Sequence, residues 1–241
     1  MKTTRKIIPA LVMLLVSAVM LSTASFAWLA SSTEVSAGPM TVQANTDVVF
    51  MQISNDETNW GRSARALNAT SGDLELVNAT VDEDVITWRT AEGGDPGKHD
   101  KDGDYTAVDP INATYALINT FYVQMSNATS TLYNLTISEV AVNEVIAADS
   151  FDEALRVLVV ATDKTDKVIG YQCWDLGTDA LSTVGGFSAD DILAATVTDD
   201  TITLSVYIYY DGEDTQAFTN KLNTATSKEI TVSFSASETN S

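Results

Sequence analysis

Three aspartates, Asp100, Asp102 and Asp104, alternate at the end of a Gly- and Asp-rich stretch that begins at Gly93. Carboxylate oxygens at alternate positions can converge on one hard cation, and calcium is the ion such a loop would take. The spacing departs from the EF-hand pattern, which needs Gly sixth and a bidentate Glu twelfth. Counted from Asp100, the sixth residue is Tyr105 and the twelfth is Ile111. A solvated acidic loop is therefore the stronger reading and a calcium site the weaker. The single histidine, His99, lies in the same stretch. A nucleophile triad would have to use it as base, yet no Gly-x-Ser-x-Gly elbow accompanies it. No His-Glu-x-x-His is present either, so a zinc protease has no support. Cys173 stands inside the apolar run from Ile169 to Trp174. A lone cysteine there reads as a small buried apolar residue, ahead of an intermolecular disulfide. Asp199-Asp200 and Asp211-Gly212-Glu213-Asp214 border an alternating run and read as turns rather than metal ligands. This inventory of bases and nucleophiles argues against an enzyme.

The elements that must position these residues follow from composition. The chain has 241 residues, with 13 Lys+Arg against 33 Asp+Glu and a formal net charge of −20. Such acidity excludes a basic face for nucleic acid. One Cys excludes a disulfide framework, and one His and one Cys leave too few ligands for a zinc site of that kind. Lys2, Arg5 and Lys6 precede an apolar segment from Ile7 to Leu21, and the short polar-to-small stretch Ser22–Ala27 that follows ends Ser25-Phe26-Ala27. That is a secretory signal with cleavage after Ala27. Cleavage after Ala37, following Val35-Ser36, and a retained anchor over Ile7–Ala30 are the alternatives. A bilayer span needs about 20 apolar residues. Removal after Ala27 leaves Trp28–Ser241, with 10 basic and 33 acidic side chains and a net charge of −23.

β-Branched runs broken by Asp, Asn and Gly favour strands. Strands are predicted over Met40–Asn45, Val48–Ser54, Leu74–Thr80, Val85–Thr90, Thr114–Met125, Leu132–Val142, Arg156–Thr162, Val168–Leu176, Thr201–Tyr210 and Glu229–Ala236. A slip near Glu139 interrupts the sixth of them, and Asp163–Asp166 forms the turn into Val168–Leu176. Three short helices are expected. Ser150 with Glu153 and Ser188 with Asp191 match the capping box. Thr215–Asn223 places Phe218 and Leu222 on one helical face. The inter-strand segments are too short for crossover helices. The expected fold is all-β, a jelly-roll-like antiparallel sandwich over residues 40–241 with two or three short helices. Residues 28–39 form a separate N-terminal segment.

The stretch Leu21–Leu29 (LSTASFAWL), followed by Ser31–Ala44 (SSTEVSAGPMTVQA), resembles the start of exported proteins of the TasA/camelysin type from Gram-positive bacteria. The closing runs Val206–Asp214 and Ile230–Phe234 resemble the last strands of exported proteins with this signal type. The resemblance implies a secreted β-sandwich that builds biofilm matrix fibres. It also implies a donor strand in the segment after Ala27, with Trp28, Leu29 and Val35 filling pockets of the next subunit and Gly38-Pro39 as hinge. Camelysin has been called a metalloprotease; no zinc motif here carries that activity over. The expected function is thus a non-enzymatic structural subunit that self-associates into filaments, without nucleic acid. The membrane enters only through the signal segment before cleavage, and the acid excess makes divalent cations natural partners. A secreted binding or adhesion module for a glycan or protein, using Trp60 or Trp88, is the alternative. Five Asn-x-Ser/Thr sequons, at Asn68, Asn78, Asn112, Asn127 and Asn134, would carry glycan only in a host with the machinery. N-terminal sequencing of the secreted protein should begin at Trp28; a start at Gly38 would remove the donor, and a start at Met1 would mean a retained anchor.

Overall fold

The computed structural model describes residues 50–68, 74–82, 85–91, 105–217 and 228–238. All of them lie in the second of two compact units, Met1–Asp47 and Val48–Ser241. The elements are β1 (Met51–Ser54), β2 (Asn78–Asp82), β3 (Val85–Ala91), β4 (Tyr105–Ala107), β5 (Ala116–Met125), β6 (Leu132–Val142), β7 (Leu155–Thr162), β8 (Val168–Asp175), β9 (Ala180–Leu181), β10 (Ala194–Val197), β11 (Ile202–Tyr210) and β12 (Ile230–Ser237). A 3₁₀ turn, Phe151–Ala154, precedes β7. Among the described residues no helix is long and apolar enough to cross a membrane.

The fold is an all-β antiparallel sandwich. A six-stranded sheet in the order β1-β5-β11-β7-β8-β9 lies between two three-stranded sheets, β10-β6-β12 and β2-β3-β4. The alternation along β11 explains why one sheet can serve two cores. Ile202, Leu204 and Val206 face the principal core, with Ile208 and Tyr210 packed at its margin. Tyr207 and Tyr209 point the other way and close on Trp88, with ring centroids 5.3 and 5.0 Å from it. β7 is buried on both faces. Val157, Val159 and Ala161 fill the principal core, while Leu158 and Val160 fill the second. Its run of β-branched residues is what a strand covered on both sides requires. Each fully buried Val or Leu there contributes about 1.5–3 kcal/mol relative to exposure.

The long strands fall where sequence patterning places them. The turn Asp163–Asp166 forms as predicted, with Asp163 Oδ1 accepting from the backbone N–H of Thr165 at 2.7 Å and of Lys167 at 3.2 Å. The expected slip in β6 is a bulge. Ser233 pairs with Glu139 but Phe234 pairs with Ile137, so Ser138 has no partner on β12.

The expected short helices fare unevenly. Ser150 caps only a single 3₁₀ turn, and its side chain makes no capping hydrogen bond. At Ser188 the cap bonds do form: its N–H donates to Asp191 Oδ2 at 2.7 Å, and the Asp190 N–H donates to Ser188 Oγ at 3.2 Å. No helix follows, because the next residues are taken by tertiary partners. The Leu193 N–H donates to Leu135 O at 2.8 Å. The buried Gln172 spans the gap, donating from Nε2 to Asp191 O at 2.5 Å and accepting the Ile137 N–H at 2.6 Å. β10 therefore stands where helix was expected. The short strands β4 and β9 were not anticipated at all. The predicted strand Met40–Asn45 lies outside the described residues, as does the predicted helix Thr215–Asn223 beyond Ala217.

Gly170 explains how closely β8 meets this turn. A Cβ at that position would stand 2.1 Å from Ile192 O and 2.5 Å from Leu193 O. Gly170→Ala must push the lead-in to β10 away from β8, at a cost of about 1–3 kcal/mol. Urea denaturation should show the lower midpoint, and an unchanged midpoint would contradict this packing.

Candidate functional site

Ala27, Trp28, Leu29 and Val35 lie outside the described residues, as do Asp100, Asp102, Asp104 and His99. Two features inside the described residues draw attention instead, a buried charge cluster and an uncovered sheet edge.

The cluster begins with Arg156, the second residue of β7. Strand alternation puts it on the same face as Leu158 and Val160, so its guanidinium enters the interior. Only 7% of the side chain is exposed. Three carboxylates meet it. Asp175, its register partner at the end of β8, holds Nη1 at 2.9 Å. Asp214 accepts from Nη2, and Asp211 Oδ2 stands 3.8 Å from Nε. Nη1 also donates to Glu153 O at 2.8 Å. Burial works against the Arg156 charge, but Asp175, Asp211 and Asp214 overturn it and raise the guanidinium's affinity for its proton. Burial pushes the Asp211 carboxyl up, while the Glu213 amide, Arg156 and Asn78 pull it back only in part. Asn78 Nδ2 donates to Asp211 Oδ1 at 3.3 Å. Asn78 is thus a core residue, and its sequon is closed to a glycan in the folded chain.

Cys173 and Tyr209 complete the seam, with Sγ and the phenol oxygen 3.8 Å apart. Burial drives the Cys173 thiol up to about 12. It is the inert, packed cysteine its sequence context suggested, far from the depressed pKa of a nucleophile. The seam between Asn78, Arg156, Cys173, Ser182, Tyr209 and Asp211 leaves no room for a water molecule. Arg156 thus acts as a cross-brace joining the ends of β7, β8 and β11. Sequence reasoning assigned Asp211 and Asp214 to a turn and missed their second role. The available signal was an arginine opening a run of otherwise apolar strand residues. Among the described residues no group of three or more His, Cys, Asp or Glu side chains is arranged to hold a metal ion.

Unpaired sheet edges recruit strands from other chains, and proteins shorten, charge or cover them. Here β4, β9 and β10 are short, at three, two and four residues. The outer side of β1 is closed by Gly61, which exchanges hydrogen bonds with Ile53 at 2.8 and 3.1 Å. The outer side of β2 is closed by Gly185 and Gly186. Their φ values of +74° and +88° and their approach to Ala79 O and Val81 O leave no space for a side chain. The Gly185 carbonyl accepts from the Val81 N–H at 2.8 Å.

β12 is the exception. Among the described residues β12 pairs with β6, and no second described strand lies beside it along Ile230–Ala236. Its sequence, ITVSFSAS, holds no charge and no proline. Ile230, Val232, Phe234 and Ala236 pack against the principal core yet stay partly exposed. The register with β6 shifts after Ser233, where β6 carries its bulge, but Ile230–Ser233 keep regular register.

Fold and edge together define an antiparallel β-sandwich with one long, uncharged, uncovered edge among its described strands. No known family model matches the sequence, and no characterised protein or solved structure is significantly similar to it.

Replacing Arg156 by Met would leave Asp175, Asp211 and Asp214 facing one another in the interior. Breaking a buried pair on one side costs about 3–5 kcal/mol. A carboxyl with a raised folded-state pKa supports the fold while protonated and loses that support as pH rises through its folded value. The Arg156→Met penalty should therefore be larger at neutral pH than at mildly acidic pH in urea titrations. A pH-independent penalty would contradict the cluster's electrostatic role.

Proposed function

We propose that the chain is a non-enzymatic secreted structural protein, a subunit of an extracellular matrix fibre assembled by donor-strand exchange. The observation that carries this reading is the edge of β12, which has no second neighbour among the described strands. An extended segment from another subunit can add to it through backbone hydrogen bonds, with pockets between alternate side chains giving specificity. The donor is the segment 28–39, in which Trp28, Leu29 and Val35 are the apolar residues able to enter those pockets. Because donor and acceptor are different surfaces, each subunit offers both, and a contact of this kind that does not close propagates as a filament.

The charge balance sets the conditions. Subunits carrying a net charge of −23 repel one another at low ionic strength. Salt shortens the reach of that repulsion, and divalent cations neutralise it locally. The uncharged β12 is then the face on which two such chains can approach with least repulsion.

The alternative, a binding module with exposed aromatic anchors, has less support. Trp88 is buried against Tyr207 and Tyr209 and cannot contact a ligand. Trp60 is half-buried, and its Nε1–H is engaged by Glu57 O at 2.9 Å.

Deleting residues 28–37 should yield a folded monomer that forms no filaments by electron microscopy. Adding lysine at the exposed edge positions, Thr231→Lys with Ser235→Lys, should have the same effect while leaving the donor intact. Surface changes of this kind shift stability by only about 0.5 kcal/mol, so folding should survive. Unchanged filaments in the deletion variant would overturn the donor assignment, and unchanged filaments in the lysine variant would overturn the acceptor.

A further inference from the structure

A second buried cation lies just before the edge strand. Lys228 precedes β12 by two residues, and only 6% of its side chain is exposed. Its Nζ stands 3.4 Å from Oδ2 of Asp152, which is 3% exposed, and 3.9 Å from Oε2 of Glu144. Both contacts are longer than the roughly 2.7–2.9 Å of a charge-assisted hydrogen bond. Apolar side chains also stand close by. Phe151 and Ala154, buried in the same 3₁₀ turn as Asp152, belong to a small apolar cluster, and the rings of Phe151 and Tyr210 lie 4.8 Å apart. Tyr210 donates its phenol hydrogen to Asp152 Oδ1 at 3.0 Å.

The contrast with Arg156 is informative. The guanidinium meets three carboxylates and a backbone carbonyl, the arrangement a buried charge needs. A lysine ammonium is more strongly hydrated, so its burial costs more. A Lys–Asp contact at 3.4 Å recovers only part of that cost. Condensation to an amide would remove both charges.

We propose that Lys228 and Asp152 are joined by an intramolecular amide bond between their side chains, with Glu144 relaying the proton. The reaction balances without a co-reactant. A proton passes from the Lys228 ammonium through Glu144 to the Asp152 carboxylate, giving a free amine and a carboxylic acid. The amine lone pair attacks Cγ, and the new C–N bond places negative charge on Oδ1. The Tyr210 phenol already points at that oxygen, as a donor to a developing oxyanion must. Burial, and after it the Asp152 carboxylate, raise the phenol's pKa, so Tyr210 keeps the proton it donates. The C–Oδ2 bond then breaks. Oδ2 leaves as water, taking the second proton from Nζ through Glu144. Glu144 is 64% exposed, so it opens the site to solvent on the side where water departs.

The bond would do what disulfides do in other exported proteins. Cys173 is the chain's single cysteine, so no thiol staple is available. A link from Asp152 to Lys228 closes a long loop, the kind that most restricts the unfolded chain. It also ties the start of β12 to the turn that leads into β7.

Intact-mass spectrometry of the denatured wild-type protein tests this directly. The mature chain should be lighter than its sequence by one water. Proteolysis should release a branched peptide joining Lys228 and Asp152. Lys228→Arg keeps the cation but cannot form this bond, and should appear at full mass. Glu144→Gln should leave a larger fraction unjoined. A wild-type chain at full mass, with the Lys228 amine open to acetylation after unfolding, would reduce the contact to an ion pair. A water loss that persists in Lys228→Arg, as cyclisation at Asp211-Gly212 would give, would equally overturn it.

Discussion

Everything in this sandwich is arranged around a strand covered on both faces. β7 gives Val157, Val159 and Ala161 to one core and Leu158 and Val160 to the other. A single charge, Arg156, stands at its entrance, and the interior can hold it only with partners. They come from the end of β8 and from the turn after β11, the two strands that flank β7. Side chains alternate with a period of two, so a one-residue slip would carry Arg156 into the principal core and Val157 into the carboxylates. The cluster thus fixes the register of three neighbouring strands as well as neutralising a charge. Arg156 is better understood as an alignment device than as a source of net stability, since buried ion pairs often only break even.

That rigid centre bears on how the molecule meets others. Among the described strands, loops close the outer sides of β1 and β2, and the remaining edges are short except β12. In a chain this acidic, a run of eight uncharged residues along a sheet edge stands out chemically. Lys228 and Asp152 lie where that edge begins, so any load reaching β12 from another subunit would pass near the point where it is anchored to the β7 entrance. Edge and anchor both fit the proposed subunit, in which strand pairing would supply contact and buried polar links supply alignment.

Much of the fold was legible because the long strands carry their own evidence. The alternation in Thr201–Tyr210 and the β-branched run of β7 are local signals, and the slip near Glu139 marks a real bulge. The helix expected at Ser188 was misread because a capping box specifies only how a turn begins. At Ser188 the cap forms, but Gln172 and Leu135 take the following backbone groups. β4 and β9 are too short to show periodicity. The charge cluster was invisible for another reason: Arg156, Asp175 and Asp211 are distant in sequence, and nothing local to Asp211-Gly212 separates a turn from a turn that also neutralises a cation. Lys228 and Asp152 pair across the same kind of distance. The open edge is likewise a property of topology, since only the pairing order reveals that β12 has one neighbour among the described strands.

Hydrogen–deuterium exchange of the monomer and of the assembled protein, resolved to individual strands, tests the central claim most directly. If β12 is the acceptor, amides of Ile230–Ser237 gain protection on assembly, while those of β5, β7 and β11, already paired on both sides, change little. Equal exchange of β12 in both states, with new protection on another edge, would contradict the account.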